Sequence, residues 1–154
     1  FQPYLNTSEE VRSLGDGIGL TYNLPKGYVL NGSYNYADFE FDAESEISTF
    51  RPGFNTPNNR FSLSFSNREI IKNLGFNISY RWQEQYFWFN TWGEGNMPSF
   101  GLTDAAISYK VKSLKSVLKV GGTNILGDDY RTNIGAPFVG QMYYFSITFD
   151  EFLN

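Results

Sequence analysis

From position 143 to position 149 the chain alternates without a break. Tyr143, Phe145, Ile147 and Phe149 fall on one side of an extended backbone, and Tyr144, Ser146 and Thr148 fall on the other. This period of two marks a strand with one apolar and one polar face. The same pattern recurs upstream. In GIGLTYNL, Ile18, Leu20, Tyr22 and Leu24 oppose small polar positions. YVLNGSYNYADFEF sets Tyr28, Leu30, Tyr34 and Tyr36 against Asn31, Ser33 and Asn35. RFSLSFSNRE alternates Phe61, Leu63 and Phe65 with serines, and FNISYRWQEQYFWF reads as one long strand with Phe76, Ile78, Tyr80 and Trp82 in phase. LTDAAISYKVKS and VLKVGGTNI complete the set, which amounts to about seven strands and no convincing helix.

The connections alternate as well. PKG, IKNLG and SLKS make short turns, whereas long polar connections fall around 42–59, 91–101 and 126–141. Outer-membrane barrels show this asymmetry, with short periplasmic turns and long extracellular loops. The first seventeen residues, FQPYLNTSEEVRSLGDG, are polar and contain Pro3, so they read as a loop.

Alternation leaves open which face points inward. In a soluble sandwich or lipocalin-like barrel the aromatic face is core, and such a chain is monomeric without detergent. In a membrane barrel the aromatic face meets lipid. The polar faces favour the second, because Ser, Asn, Thr and Gly dominate where a solvated surface carries long Lys and Glu. Tyr28, Tyr36, Tyr80, Trp82, Tyr109 and Tyr143 recur near strand ends, and such rings suit a membrane interface. Most alternating runs also match the roughly 9–11 residues that span a bilayer on a tilt. An odd number of strands leaves two open edges, whose unpaired backbone groups cannot sit in lipid. The expected fold is therefore all-β, an antiparallel transmembrane β-barrel, with this chain either a sector of a larger barrel or paired with other chains.

Composition narrows the chemistry. Of 154 residues, 19% are aromatic and none is Cys or His, which removes disulfides, thiol chemistry and the usual zinc sites. A net charge of −4 argues against nucleic acid as a partner. There is no run of 18 apolar residues and no signal peptide. Because the first residue is Phe1 and not Met, the chain reads as a processed or excised piece.

The runs FNTPNNRFSLSFSNREIIKNLGFNISYRWQEQYFW and GLTDAAISYKVKSLKSVLKVGGTNILGDDYRTNIGAPFVGQMYYFSITFDEF resemble the late barrel strands of TonB-dependent outer-membrane receptors of the Bacteroidota type. TNILGDDYRTNIGAPFVGQMYYFSITF resembles that family's final hairpin. The resemblance covers essentially residues 1–154 and implies a barrel of about 22 strands, with about the last seven supplied here. It implies energised nutrient uptake across the bacterial outer membrane. This chain would serve as wall, closing strand and extracellular loops, with a periplasmic C-terminus. The implied partners are the rest of the barrel and its plug, outer-membrane lipid, TonB acting through N-terminal segments not found in this chain, and a surface lipoprotein as a further candidate. No cofactor is implied. A structural or accessory barrel subunit without transport is the alternative.

No catalytic constellation is present, so the chain reads as a non-enzyme. Arg81, on a polar face, suits contact with a substrate or with the plug. The aromatic cluster Tyr86, Phe87, Trp88, Phe89 and Trp92 suits either stacking on a ligand at the mouth or packing between loops. Tyr130 and Arg131 lie in the last long connection. Arg131 can hold an anion through its planar fork, or pair with Asp128 or Asp129. Those two aspartates, with Asp104 and Glu94 elsewhere, offer oxygen ligands for Ca²⁺, against the plainer account of a solvated loop. GDGIG and GEG are glycine-rich, but no helix follows to complete a phosphate cradle. Lys110, Lys112, Lys115 and Lys119 surround one short turn and suit anionic headgroups or plain solvation. In the closing strand, Tyr143, Phe145, Ile147 and Phe149 are expected to face lipid, with 150–154 at the periplasmic rim.

Overall fold

The computed structural model describes residues 10–41, 53–91 and 93–149. It contains nine strands: β1 (Val11–Asn23), β2 (Tyr28–Phe41), β3 (Asn59–Ile71), β4 (Leu74–Gln83), β5 (Tyr86–Asn90), β6 (Gly93–Met97), β7 (Phe100–Val111), β8 (Ser116–Thr123) and β9 (Met142–Phe149). Seven of them form one antiparallel sheet in the order β1-β2-β3-β4-β7-β8-β9, and β5 and β6 form a separate two-stranded ribbon. No strand pairs across the outer sides of β1 and β9 among the described residues, so the sheet is open. No helix among them is long and apolar enough to cross a membrane, which says nothing about a β-barrel.

The register joins the separate alternations into two continuous faces. Tyr22, Leu30, Phe65, Ile78, Ala105, Gly122 and Tyr143 face one another in a single row across all seven strands. Directly paired residues share a face, so every apolar set assigned from sequence lands on the same side. Aromatic contacts knit it: Tyr28 stacks on Phe65 at 5.4 Å and Phe61 on Trp82 at 5.6 Å. The opposite face carries Thr21, Asn31, Ser64, Ser79 and Asp104 in one row. There Thr21 Oγ1 donates to Asn31 Oδ1 at 2.9 Å, and Asn31 Nδ2 donates to Ser64 Oγ at 3.1 Å.

Burial is inverted relative to a soluble sandwich. The buried apolar residues are Met97 in the ribbon and Leu102 and Ala106 on the polar face. Leu20 is 69% exposed, and in the closing strand Tyr143, Phe145, Ile147 and Phe149 are 71%, 61%, 50% and 79% exposed. Nothing among the described residues covers the apolar face. Contiguous exposed apolar surface on this scale exceeds what a monomer in water carries.

Short turns at 24–27, 72–73 and 112–115 lie at one end of the sheet, and the strand ends that flank the three long connections lie at the other, as the spacing predicts. Three expectations are corrected. Residues 11–17 are not loop. They pair with β2 from Val11↔Phe41 onward, so backbone bonding outweighs their polar composition, and Leu14 keeps the phase of Ile18. Gly15 therefore joins Gly17 and Gly19 within the strand. The run 76–89 is not one strand either. β3 begins at Asn59 and β7 at Phe100, so the sheet pairing ends at Gln83, with one further bond from the Glu84 amide to the Asn59 carbonyl at 3.0 Å. It pairs instead with its own return, GEGNM, within what was expected to be loop.

Candidate functional site

The long connections are tied to one another. Asn55 makes two bonds to Phe89: its Nδ2 donates to the carbonyl oxygen at 2.9 Å, and its Oδ1 accepts from the amide at 2.8 Å. Phe39 stacks on Phe54 with centroids 4.4 Å apart. The Tyr86 hydroxyl donates to the carbonyl of Thr132 at 3.2 Å, joining the ribbon to the last connection. Burial pushes the Tyr86 phenol above its ordinary pKa, against a smaller lowering effect of a bond with Gln83. Trp88 packs edge-on against Tyr86 at 6.5 Å, and its indole nitrogen is buried without a hydrogen-bond partner. Tyr86 thus ties the ribbon to the last connection, whereas Phe87 is exposed. Trp92, like residues 150–154, lies outside the described residues.

The last connection starts from a fixed anchor. Asn124 is 2% exposed with φ of 54°, a left-handed conformation that Asn tolerates better than most residues. Its amide donates to Asp104 Oδ1 at 3.0 Å, and its Nδ2 donates to the Asp128 carbonyl at 3.0 Å. Asp104 uses its other oxygen to accept from Arg81 Nη2 at 3.1 Å. One carboxylate therefore links the polar face to the start of the connection. Farther along, Tyr130 and Val139 exchange backbone bonds of 3.1 and 2.7 Å. The Tyr130 ring rests on Phe100, 4.8 Å between centroids, and so lies over the polar face of the sheet.

Under this fold lies a cavity of about 520 Å³, whose lining includes Asn35, Arg60, Arg81, Gln83, Leu102 and Tyr130. Arg81 and Tyr130, singled out separately in the sequence, meet here. Arg60 was missed; its signal was an arginine in phase with Ser62 and Ser64 on a face of small residues. Arg131 turns away from this cavity. It makes no ion pair with Asp128 or Asp129 among the described residues; its guanidinium lies 5.5 Å from the Phe138 ring. Arg131 instead lines a neighbouring recess of about 400 Å³ together with both aspartates.

Among the described residues no group of three or more carboxylates converges in a metal-binding arrangement, and Asp104 is engaged by Arg81. The four lysines do not act as one cluster. Lys112 and Lys115 sit at the turn, Lys110 lies 4.0 Å from Glu69, and Lys119 reaches over the Tyr144 ring on the polar face. Lys110 and Lys119 share the polar face by strand phase, whereas Lys112 and Lys115 belong to the turn.

No family model matches the chain, and no curated protein matches its sequence. Among solved structures, a chain in the structure of the FpvAI–pyocin S2 complex matches 90% of this chain at a TM-score of 0.70 and 19% identity. This chain therefore shares its fold with part of that solved chain. At that identity the likeness concerns fold alone, and the match occupies 20% of the solved chain's length.

Proposed function

We propose that this chain is the C-terminal wall of a TonB-dependent outer-membrane receptor for energised nutrient uptake, with β9 as the closing strand of a barrel of about 22 strands. The observation that carries this is the uncovered apolar face, continuous across seven strands and backed by a hydrogen-bonded polar face. A bilayer satisfies the first face and a hydrated interior the second. The open edges of β1 and β9 would be paired by further strands, since unpaired backbone in lipid costs several kcal/mol per group. The long connections would then be extracellular and the short turns periplasmic. The Bacteroidota assignment rests on the sequence resemblance alone.

Two measurements test this. A fluorophore attached at Ile147→Cys should be quenched by brominated lipid, and one at Ser146→Cys should not. Equal quenching, or recovery of the full chain as a soluble monomer, would overturn the barrel. Deleting TonB in cells that carry the receptor should abolish uptake of its nutrient. Uptake that persists would point to a structural barrel subunit instead.

A further inference from the structure

We infer that the cavity between the polar face and the inward-folded last connection binds a small organic anion, a carboxylate or phosphate carried on an aromatic or otherwise apolar body. This deepens the receptor proposal, because it rests on the polar face lining a hydrated interior. Arg60 and Arg81 stand on neighbouring strands two residues out of direct register, Arg60 opposite Gln83 and Arg81 opposite Ser62. Diagonal neighbours of that kind lie within reach of one long-armed ligand contact. Among the described residues no carboxylate lies within ion-pair distance of Arg60. Arg81 spends one nitrogen on Asp104 and remains 57% exposed, so most of its donors stay free. Two guanidinium groups with spare donors on one wall recognise an anionic oxygen cluster bidentately.

The apolar half comes from β7, where Leu102 pairs with Arg81 and Phe100 with Gln83 on the same face, and from the connection folded over it. Phe100, Leu102 and the Tyr130 ring line the same space, and the ring is held in place by its contact with Phe100. A volume of about 520 Å³ accommodates a small ligand rather than a macromolecule. The positive charge is therefore concentrated on β3 and β4, with apolar side chains beside it on β7 and the Tyr130 ring above. A neutral ring compound would leave Arg60 without a counter-charge, and a bare inorganic anion would leave the aromatic side chains unused.

The test is calorimetric titration of the full receptor in detergent with phenylphosphate, benzoate and benzyl alcohol. Phenylphosphate or benzoate should bind at least about tenfold more tightly than benzyl alcohol, and whichever anion binds better identifies the headgroup. Arg60→Gln and Arg81→Gln should each weaken the anion about tenfold or more. Arg68→Gln, at the short-turn end, should leave it unchanged. If Arg81→Gln misfolds by leaving Asp104 unpaired, Arg60→Gln still decides, because Arg60 holds no partner carboxylate. Equal affinity for benzyl alcohol, an unaffected Arg60→Gln protein, or no anion binding at all would overturn the inference. Lipid quenching at Ile147→Cys, measured on the same preparation, separates that failure from failure of the barrel.

Discussion

Tyr130, in the last long connection, packs its ring against Phe100 at the start of β7, with centroids 4.8 Å apart. Phe100 shares the polar face with Gln83 and Leu102, so this contact folds the connection back over the sheet. The wall and the loop that caps it are therefore one packed unit at this end.

Replacing Tyr130 by Ala should release the connection. An aromatic pair of this kind contributes about 0.5–1.5 kcal/mol beyond its buried area. Amide exchange at Tyr130 and Val139, which bond to each other, should accelerate by roughly two- to tenfold, with β7 and β8 amides unaffected. Uniform acceleration across the sheet would contradict a local role.

Asn124 carries both a conformational and a bonding role, and two substitutions separate them. Asn124→Gly keeps the left-handed backbone and loses the bond to Asp128, costing about 1 kcal/mol. Asn124→Ala adds backbone strain of about 1 kcal/mol or more. Denaturant midpoints should rank wild type above Gly above Ala, and Ala at or above Gly would refute the strain.

Gly121 faces Tyr144 on the polar side, and the ring lies across it. A β-carbon at Gly121 would stand 2.6 Å from the Tyr144 hydroxyl oxygen and 2.9 Å from the Ala105 carbonyl oxygen. Gly121→Val should cost about 1–3 kcal/mol by overpacking. Adding Tyr144→Ala should recover only part of that loss, because the backbone carbonyl cannot move aside as a ring can. Full recovery in urea unfolding would show that the ring alone causes the clash.

The two faces of β9 should respond differently to charge. Ile147→Arg places a guanidinium on the face proposed to meet lipid, at about 2–4 kcal/mol if near the bilayer midplane. Ser146→Arg, on the polar face, should cost far less. Folding equilibria in phospholipid vesicles check this, and equal losses would contradict the assigned orientation.

Tyr86 should titrate later than an exposed tyrosine, because burial disfavours its phenolate. Its folded pKa lies above the unfolded value of 10.0, so the folded chain holds that proton longer. The associated stability is fully present below pH 10 and is lost as pH rises through the folded pKa. Tyrosinate absorbance should show late titration to which Tyr86 contributes, and Tyr86→Phe should remove that contribution along with its share of the alkaline loss.

Alternation in 143–149, in 28–36 and in 61–65 was enough to identify seven sheet strands and the apolar side of each. The reason is that side-chain direction in a strand follows backbone period alone, and short turns against long connections set the order of neighbours. Extent and partnership were not legible in this way. Whether 11–17 extend β1, and where 76–89 break, depend on which neighbouring strand still offers free backbone groups. Arg81 could be assigned to the polar face from its phase. Its meeting with Arg60 and Tyr130 required the register between β3 and β4 and the fold-back of a connection anchored at Asn124. Those contacts join residues far apart in the chain, and local periodicity carries no record of them.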